Sequence, residues 1–197
     1  MKASKNRLFL LFVLFSSSIF LSSRIVAENN GRDNGHISAE AKNKPGKKAK
    51  SIVKIDARGL SCHDGDTCRV ETMTKDLWKI RLWGIDAPET KQAYGRESQS
   101  FIEKLVKGKA LQLECHGMSF DRHTCRIFSD GTDVGQQLVL AGLAWEAPQY
   151  SKKTYSPQMT LAKNEKRGLW QETSLVSPYC FRKPTSKHCK GRQTYMP

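Results

Sequence analysis

The chain has 197 residues, with 33 lysines and arginines against 19 aspartates and glutamates, which gives a formal charge of +14. This length allows one domain with a single core, and the positive charge favours a polyanion, such as nucleic acid or an anionic surface, as the partner. The six cysteines form no C-x-x-C pair, so the sequence gives little support to a zinc site.

The N-terminal segment has the features of an export signal followed by a linker. Residues 1–27 combine a cationic start, a long apolar run and a small residue before Glu28, which predicts a signal peptide and a periplasmic or secreted protein. An uncleaved membrane anchor is the alternative, and only then do we expect contact with a membrane. Residues 28–50 contain one large apolar residue, Ile37, and a lysine-rich end, which predicts a disordered basic linker.

Alternating apolar and polar residues predict five strands after this linker. They are Ile52–Ala57, Thr67–Thr72, Leu77–Trp83, Ala110–Cys115 and Thr124–Phe128. The alternation puts Arg81 on the strand face opposite Ile80 and Leu82.

Helical spacing of apolar residues predicts three helices, each followed by a glycine. They are Glu97–Val106, Val134–Leu140 and Gln158–Lys166. Three strands, a helix, two strands and two helices indicate an α+β fold, with a small barrel as the closure of the strands. The basic tail, 172–197, shows no periodicity and is expected to be irregular.

The cysteine count is even, which in an exported chain indicates disulfide bonds. Each cysteine has a near neighbour in the sequence, and among the possible connectivities we favour the pairing of neighbours. The favoured pairs are Cys62–Cys68 around an acidic turn, Cys115–Cys125 around a second turn, and Cys180–Cys189 in the tail.

Two acidic runs are unusual in so basic a chain: Asp-Gly-Asp-Thr at 64–67 and Asp-Ala-Pro-Glu at 86–89. A hard divalent cation is a suitable counter-charge, because carboxylate oxygens are the ligands that Ca²⁺ and Mg²⁺ prefer. Arg81 lies between the runs and Arg122 follows them, and a guanidinium group matches phosphate oxygens in a bidentate geometry. Together these groups point to phosphodiester hydrolysis.

A wider pattern resembles the thermonuclease (staphylococcal nuclease) family. It comprises D-G-D-T at 64–67, I-R-L at 80–82, G-I-D-A-P-E-T at 84–90, D-G at 130–131, L-A at 143–144 and G-L-W at 168–170. The resemblance covers about residues 52–171 and predicts a nuclease domain over 51–171. It implies a five-stranded OB-type β-barrel with three α-helices, and a Ca²⁺-dependent phosphodiesterase with DNA and RNA as substrates.

The resemblance also assigns the metal ligands. Asp66 and Asp86 correspond to direct Ca²⁺ ligands, and the backbone carbonyl of Ala87 to a third. The staphylococcal member has Thr where Ala87 stands, a change to which a carbonyl ligand is indifferent. Asp64 is expected to reach the metal through water. Its alternative role is that of a turn-forming aspartate.

Glu89 corresponds to the family's general base, although the sequence leaves open whether it abstracts the proton or only orders the attacking water. Arg81 and Arg122 are expected to stabilise the charge that builds up at phosphorus. Arg126 is the alternative to Arg122, because the turn before this strand departs from the family pattern. Counting back from the Asp-Gly pair at 130–131 without gaps favours Arg122.

Tyr150 corresponds to a tyrosine that stacks on a nucleotide, and an ordinary surface tyrosine is the alternative. Two other functions remain open: a barrel that binds nucleic acid without hydrolysing it, and a basic structural or adhesive protein of the envelope. The intact set of carboxylates favours the nuclease. The sequence suggests a monomer and shows no sign of a protein partner.

Overall fold

The computed structural model describes residues 51–189 of the chain. The predicted signal peptide (1–27), the predicted linker (28–50) and the last residues of the tail (190–197) lie outside the described residues. No helix in the described part of the chain is long and apolar enough to cross a membrane.

Eight strands and five α-helices make up the described fold. The strands are β1 (Val53–Cys62), β2 (Thr67–Thr72), β3 (Leu77–Leu82), β4 (Ile85–Asp86), β5 (Ala110–Ser119), β6 (Arg122–Ser129), β7 (Thr132–Asp133) and β8 (Trp145–Glu146). The helices are α1 (Gly95–Val106), α2 (Val134–Leu140), α3 (Pro148–Ser151), α4 (Ser156–Asn164) and α5 (Pro178–Arg182), with a 3₁₀ turn at Gly168–Gln171.

Five of these strands close into the barrel that the sequence predicts. The order is β3-β2-β1-β5-β6, and a parallel pairing of β3 with β6 closes the ring. In this closure Arg81 lies opposite Thr124, and Leu82 lies opposite Cys125. The OB-type α+β prediction is therefore confirmed. The observed strands are longer than predicted on the two sides of the turns, since β1 extends to Cys62 and β5 to Ser119.

Helix α1 packs against β1 of the barrel. Its residues Ile102 and Val106 are buried in the core, and Gly59 of β1 lies directly beneath it. A Cβ atom on Gly59 would lie 1.9 Å from the carbonyl oxygen of Val106, so no larger residue allows this approach. The two other predicted long helices are α2 and α4, and α4 begins and ends two residues earlier than predicted.

The tail is more ordered than its composition suggests. We expected residues 172–197 to be irregular, but α5 forms at Pro178–Arg182, where the Ser177 side chain accepts a hydrogen bond from the Cys180 N–H. Leu175 is buried in a small cluster with Trp145 and Leu169. The apolar contacts of Leu175 therefore hold the start of the tail against Trp145 of β8 and Leu169 of the 3₁₀ turn, an effect that the basic composition conceals.

All six cysteines form disulfide bonds, and the pairs are Cys62–Cys68, Cys115–Cys125 and Cys180–Cys189. The neighbour pairing is thus confirmed. The first two bonds join residues that lie directly opposite each other on paired strands, with Cα atoms 4.0 Å apart, closer than the usual ~4.4–6.8 Å. Each of these two bonds therefore ties together the strands on the two sides of one turn.

Removing the Cys62–Cys68 bond should lower stability by a modest amount. Its loop is short, and the loop-entropy relation gives about 2 kcal/mol for a loop of this size. We expect the Cys62→Ala/Cys68→Ala protein to lose about that much unfolding free energy in urea titrations. An unchanged unfolding free energy would contradict this expectation.

Candidate active site

One cleft of about 750 Å³ brings the candidate residues together at one side of the barrel. Every candidate except Ala87 lines it, and Ala87 is buried directly behind it. The candidate residues that line the cleft are Asp64, Asp66, Arg81, Asp86, Glu89, Arg122 and Tyr150.

The turn 64–67 between β1 and β2 is tightly packed. Asp64 accepts a hydrogen bond from the Asp66 N–H at 3.0 Å, which is the Asx-turn geometry expected of a turn-forming aspartate. A Cβ atom on Gly65 would lie 1.9 Å from the Ser98 hydroxyl of α1 and 2.7 Å from the Ala87 Cβ. Gly65 therefore allows the acidic turn to lie against both α1 and the second acidic run.

Asp66 is almost completely buried, and both of its carboxylate oxygens have polar partners. Its Oδ2 accepts from the Ala87 N–H at 2.9 Å, and its Oδ1 accepts from the Thr67 hydroxyl at 3.2 Å. It also forms an ion pair with Arg81. The two acidic runs, which are separated by β2 and β3 in the chain, are thus joined directly.

Arg81 lies between the carboxylates of the two runs. Its guanidinium contacts Asp66 and donates to Asp86 Oδ1 at 2.8 Å and to the carbonyl oxygen of Ile85 at 3.3 Å. Burial lowers the pKa of Arg81, while the neighbouring Asp86 opposes this effect. An arginine keeps its proton under these conditions, so it supplies a fixed positive charge beside the two carboxylates.

Asp86 belongs to the two-residue strand β4, which pairs with β8. Asp86 lies opposite Trp145, and the short pairing fixes the direction of the backbone on which Ala87 follows. Ala87 is 3% exposed. Its Cβ lies close to Gly65, where an added Cβ atom would approach it to 2.7 Å.

Glu89 lies in the loop between β4 and α1, and its side chain is partly exposed. Its backbone N–H donates to Gln92 Oε1 at 2.9 Å, and its carboxylate forms an ion pair with Arg182 at 2.6 Å. Glu89 therefore shares the Arg182 guanidinium with Asp86 while its own side chain stays partly exposed.

The two arginines that compete for the second phosphate role lie in different surroundings. Arg122 begins β6, lines the cleft and donates to the Thr67 hydroxyl at 3.4 Å. Arg126 donates to Asp133 at 2.7 Å and to Glu114 at 3.4 Å, in a group of charges that does not line the cleft. The arrangement favours Arg122 over Arg126 as the residue that can reach a substrate.

Tyr150 lies in the short helix α3 at the rim of the cleft and is 66% exposed. An exposed ring beside a group of arginines is a suitable surface for stacking of a base. Phe120, at the tip of the hairpin before Arg122, is 95% exposed and adopts a positive φ of 55°.

The residues present fit a hard divalent cation. In the described range, no three or more His, Cys, Asp or Glu side chains form a group that could hold a metal ion. Asp66 and Asp86 nevertheless meet at one guanidinium group, and the Ala87 backbone follows directly. Two carboxylates supplemented by a carbonyl and by water form an oxygen-only ligand set of the kind that Ca²⁺ accepts.

Two residues of the tail line the cleft and were not among the candidates. They are Tyr179 and Arg182, both in α5. Burial opposes the charge of Arg182, but its hydrogen bonds and its attraction to Glu89 and Asp86 raise its pKa above the ordinary value. The one sequence signal for this element was the pair Cys180 and Cys189, which indicated a closed loop but not where that loop lies.

Comparison with known proteins agrees with this geometry. Residues 79–172 match the family model described as staphylococcal nuclease homologue. An uncharacterized endonuclease of Escherichia coli is 37% identical over 131 residues, which cover 65% of this chain and 85% of that protein. An uncharacterized endonuclease of Haemophilus influenzae is 30% identical over 135 residues, 68% of this chain and 76% of that protein.

A more distant similarity extends to plants. A staphylococcal-like nuclease of Arabidopsis thaliana is 32% identical over 115 residues, which cover 57% of this chain and 36% of that protein. The family model, the length over which the bacterial relatives match and the closed five-stranded barrel all agree. This chain therefore belongs to the staphylococcal nuclease family.

Proposed function

We propose that this protein is an exported, Ca²⁺-dependent phosphodiesterase that hydrolyses DNA and RNA. The main support is the meeting of two acidic runs, the second of which ends at Glu89, and two arginines in one cleft of a strongly basic chain. The positive charge of the chain suits a polyanionic substrate, and the relatives named as endonucleases point the same way.

The metal would be held by Asp66, Asp86 and the carbonyl of Ala87, with Asp64 acting through water. When bound, Ca²⁺ supplies Lewis-acid polarisation of a phosphoryl oxygen. The hydrogen bond from the Ala87 N–H to Asp66 supports this assignment, because it ties the two ligand-bearing segments together.

Glu89 is the candidate base because its carboxylate lies in the cleft and its side chain stays partly exposed to water. In the proposed step the oxygen of water bonds to phosphorus while Glu89 accepts its proton. The P–O5′ bond breaks, and the leaving oxygen takes up a proton from the solvent. The products carry a 3′-phosphate and a 5′-hydroxyl.

Arg81 and Arg122 would bind the non-bridging oxygens and stabilise the charge that builds up during attack. Fixed donors are effective in this role because they need no reorganisation when the charge develops. Arg81 is held by Asp66 and Asp86, and Arg122 is held near Thr67. Tyr150 would stack on a base, which favours tolerance of sequence.

Export and the monomeric state belong to the proposal. Disulfide bonds persist in oxidising compartments, and all six cysteines are bonded in pairs. A barrel that binds nucleic acid without hydrolysis is the alternative. The presence of Asp66, Asp86 and Glu89 favours hydrolysis over simple binding, because binding alone requires no buried carboxylates beside a polyanion.

Hydrolysis should depend on the divalent cation. We expect the purified protein to digest single-stranded DNA and RNA with Ca²⁺, and to lose this activity in excess chelator. Comparing digestion in Ca²⁺, in Mg²⁺ and in chelator on gels measures this directly. Full activity in chelator would show that the metal assignment is wrong.

The roles of Asp66 and Glu89 should separate in mutants. Asp66→Ala should weaken Ca²⁺ binding in calorimetry, because it removes a ligand. Glu89→Gln should leave Ca²⁺ affinity nearly unchanged and lower kcat by ~10²–10⁴, the range typical for loss of a general base. Loss of Ca²⁺ binding in Glu89→Gln, with normal turnover at saturating Ca²⁺, would refute the base role.

Arg122 and Arg126 should also differ. Arg122→Ala should lower kcat by on the order of 10²-fold or more, as for removal of a preorganised donor. Arg126→Ala should leave kcat close to that of the unaltered protein but cost about 2 kcal/mol of unfolding free energy, since buried Asp133 loses hydrogen bonds to a charged partner. Kinetics and urea titration of both proteins test this, and the reverse pattern would exchange the two roles.

A further inference from the structure

The C-terminal segment brings a third arginine to the active site. The helix α5 ends at Arg182, and the Cys180–Cys189 bond closes the loop that contains it. Leu175, Pro178 and Cys189 are buried, so the segment is anchored on both sides of Arg182. The family match ends at residue 172, so this element follows the part of the chain that carries the family pattern.

Gln92 connects this segment to the loop that carries the proposed base. Its Oε1 accepts from the Glu89 N–H at 2.9 Å, and its Nε2 donates to the carbonyl oxygen of Val176 at 2.9 Å. One side chain therefore holds the backbone of Glu89 and the backbone of the tail together. The position of Arg182 relative to Glu89 is fixed by this bridge as well as by the disulfide bond.

The guanidinium of Arg182 contacts two of the four carboxylates in the cleft. Its Nη1 lies 2.6 Å from Glu89 Oε1, and its Nη2 lies 3.2 Å from Asp86 Oδ1 and 3.1 Å from Asp86 Oδ2. Arg81 approaches the same Asp86 Oδ1 at 2.8 Å. Arg81 and Arg182 are thus both bound to Asp86, but Arg182 is the more exposed of the two, with side-chain exposures of 40% against 19%.

The charges that line the cleft show how Arg182, the second guanidinium at Asp86, changes the net charge of the site. Four carboxylates and the guanidinium groups of Arg81, Arg122 and Arg182 line the cleft. With a divalent cation on the carboxylates, this group carries net positive charge only because Arg182 is included. A single-stranded polyanion is attracted to such a surface, and a guanidinium fork fits a phosphate group in a bidentate geometry.

We propose that Arg182 is a third phosphate-binding arginine of the active site, which contacts the backbone of the bound nucleic acid. This inference rests on the proposed function. Arg81 supports it, because the arginine assigned to phosphate binding also rests on Asp86. The position of Tyr179, one helical turn before Arg182 and also at the cleft, extends the same surface.

The alternative is a clamp in which Arg182 only neutralises Glu89 and Asp86, and so competes with metal and substrate. The two roles predict opposite changes in nucleic-acid affinity when Arg182 is replaced. Loss of a phosphate contact weakens nucleic-acid binding, whereas loss of a clamp strengthens it. The partial exposure of Arg182 favours the phosphate role, because its guanidinium is accessible from the cleft.

The test measures binding of a fluorescent phosphorothioate oligothymidylate, which resists hydrolysis, by anisotropy in Ca²⁺ over a range of salt concentrations. Arg182→Gln should bind several-fold more weakly. The slope of log K against log salt should become shallower by about 0.7, the value for one phosphate contact on a single strand.

Lys183→Gln is the matched control. It removes the same charge at the next residue, where the ammonium lies 5.9 Å from the Tyr179 ring and does not line the cleft. We expect its affinity and salt slope to stay near those of the unaltered protein. Equal effects of the two substitutions would refute the proposal, since they would reflect net charge alone. Tighter binding of the oligonucleotide by Arg182→Gln would establish the clamp instead.

A measurement on the unaltered protein makes the test independent of how the variants fold. Phenylglyoxal modifies accessible arginines, and mass spectrometry locates the modified positions. Bound oligonucleotide should protect Arg182 and leave the exposed Arg96 of α1 reactive. Unchanged or increased modification of Arg182 on binding would overturn the proposal.

Failure of this inference can be told apart from failure of the proposed function. Hydrolysis by the unaltered protein in Ca²⁺ tests the function, whereas the oligonucleotide titrations contain no cleavage step. If the unaltered protein cleaves DNA and Arg182→Gln binds normally, the function stands and the role of Arg182 is wrong. If the unaltered protein binds DNA through Arg182 without cleaving it, the binding role stands and the hydrolytic one is wrong.

Discussion

The arrangement of the site depends on the ion pairs that Arg81 makes with Asp66 and Asp86. Two carboxylates brought close together in a poorly solvated place repel each other and resist ionisation. A guanidinium between them offsets that repulsion, and the N–H of Ala87 satisfies a further oxygen of Asp66. Because removal of one partner of a buried ion pair leaves an uncompensated charge, these groups stabilise the site only as a set.

The barrel explains why this set can form. Arg81 lies in β3, opposite Thr67 in β2 and Thr124 in β6, so the strand that carries it is held on both sides. The hydroxyl of Thr67 donates to Asp66 and lies 3.4 Å from the Arg122 guanidinium. A small β-branched side chain at this position therefore connects the acidic turn with the start of β6, where the second arginine lies.

The C-terminal segment, which the Cys180–Cys189 disulfide bond closes, is held beside the proposed base Glu89. Leu175 and Cys189 anchor the segment, and Gln92 joins it to the backbone of Glu89. A chain that folds where disulfide bonds are stable can use such a closed loop to hold an arginine in place, because the bond restricts the conformations that the loop could otherwise adopt. The Cys62–Cys68 and Cys115–Cys125 bonds thus join strands of the barrel, whereas the Cys180–Cys189 bond closes the loop that carries Arg182.

Short-range patterns in the sequence predicted most of the strands, the long helices and the residues of the candidate site. Strand alternation, helical spacing and the glycines gave the barrel and its three long helices, because these patterns reflect which side of each element is buried. The spacing of the cysteines favoured the pairing of neighbours, which the structure confirms. The acidic runs and Arg81 were visible as charges at fixed spacing, and the count from the Asp-Gly pair pointed to Arg122, which lies in the cleft, over Arg126, which does not.

Tertiary structure decided what depends on distant contacts. Arg182 lies 93 residues from Glu89 in the chain, and no period or motif in the basic tail relates the two. Their meeting depends on the burial of Leu175 beside Trp145 and on the bridge through Gln92, neither of which composition reveals. The parallel pairing of β3 with β6 likewise joins residues that are distant in the sequence, and no local pattern reveals it. Local sequence fixes which face of an element is apolar, whereas the partner of that face is chosen by the packing of the whole domain.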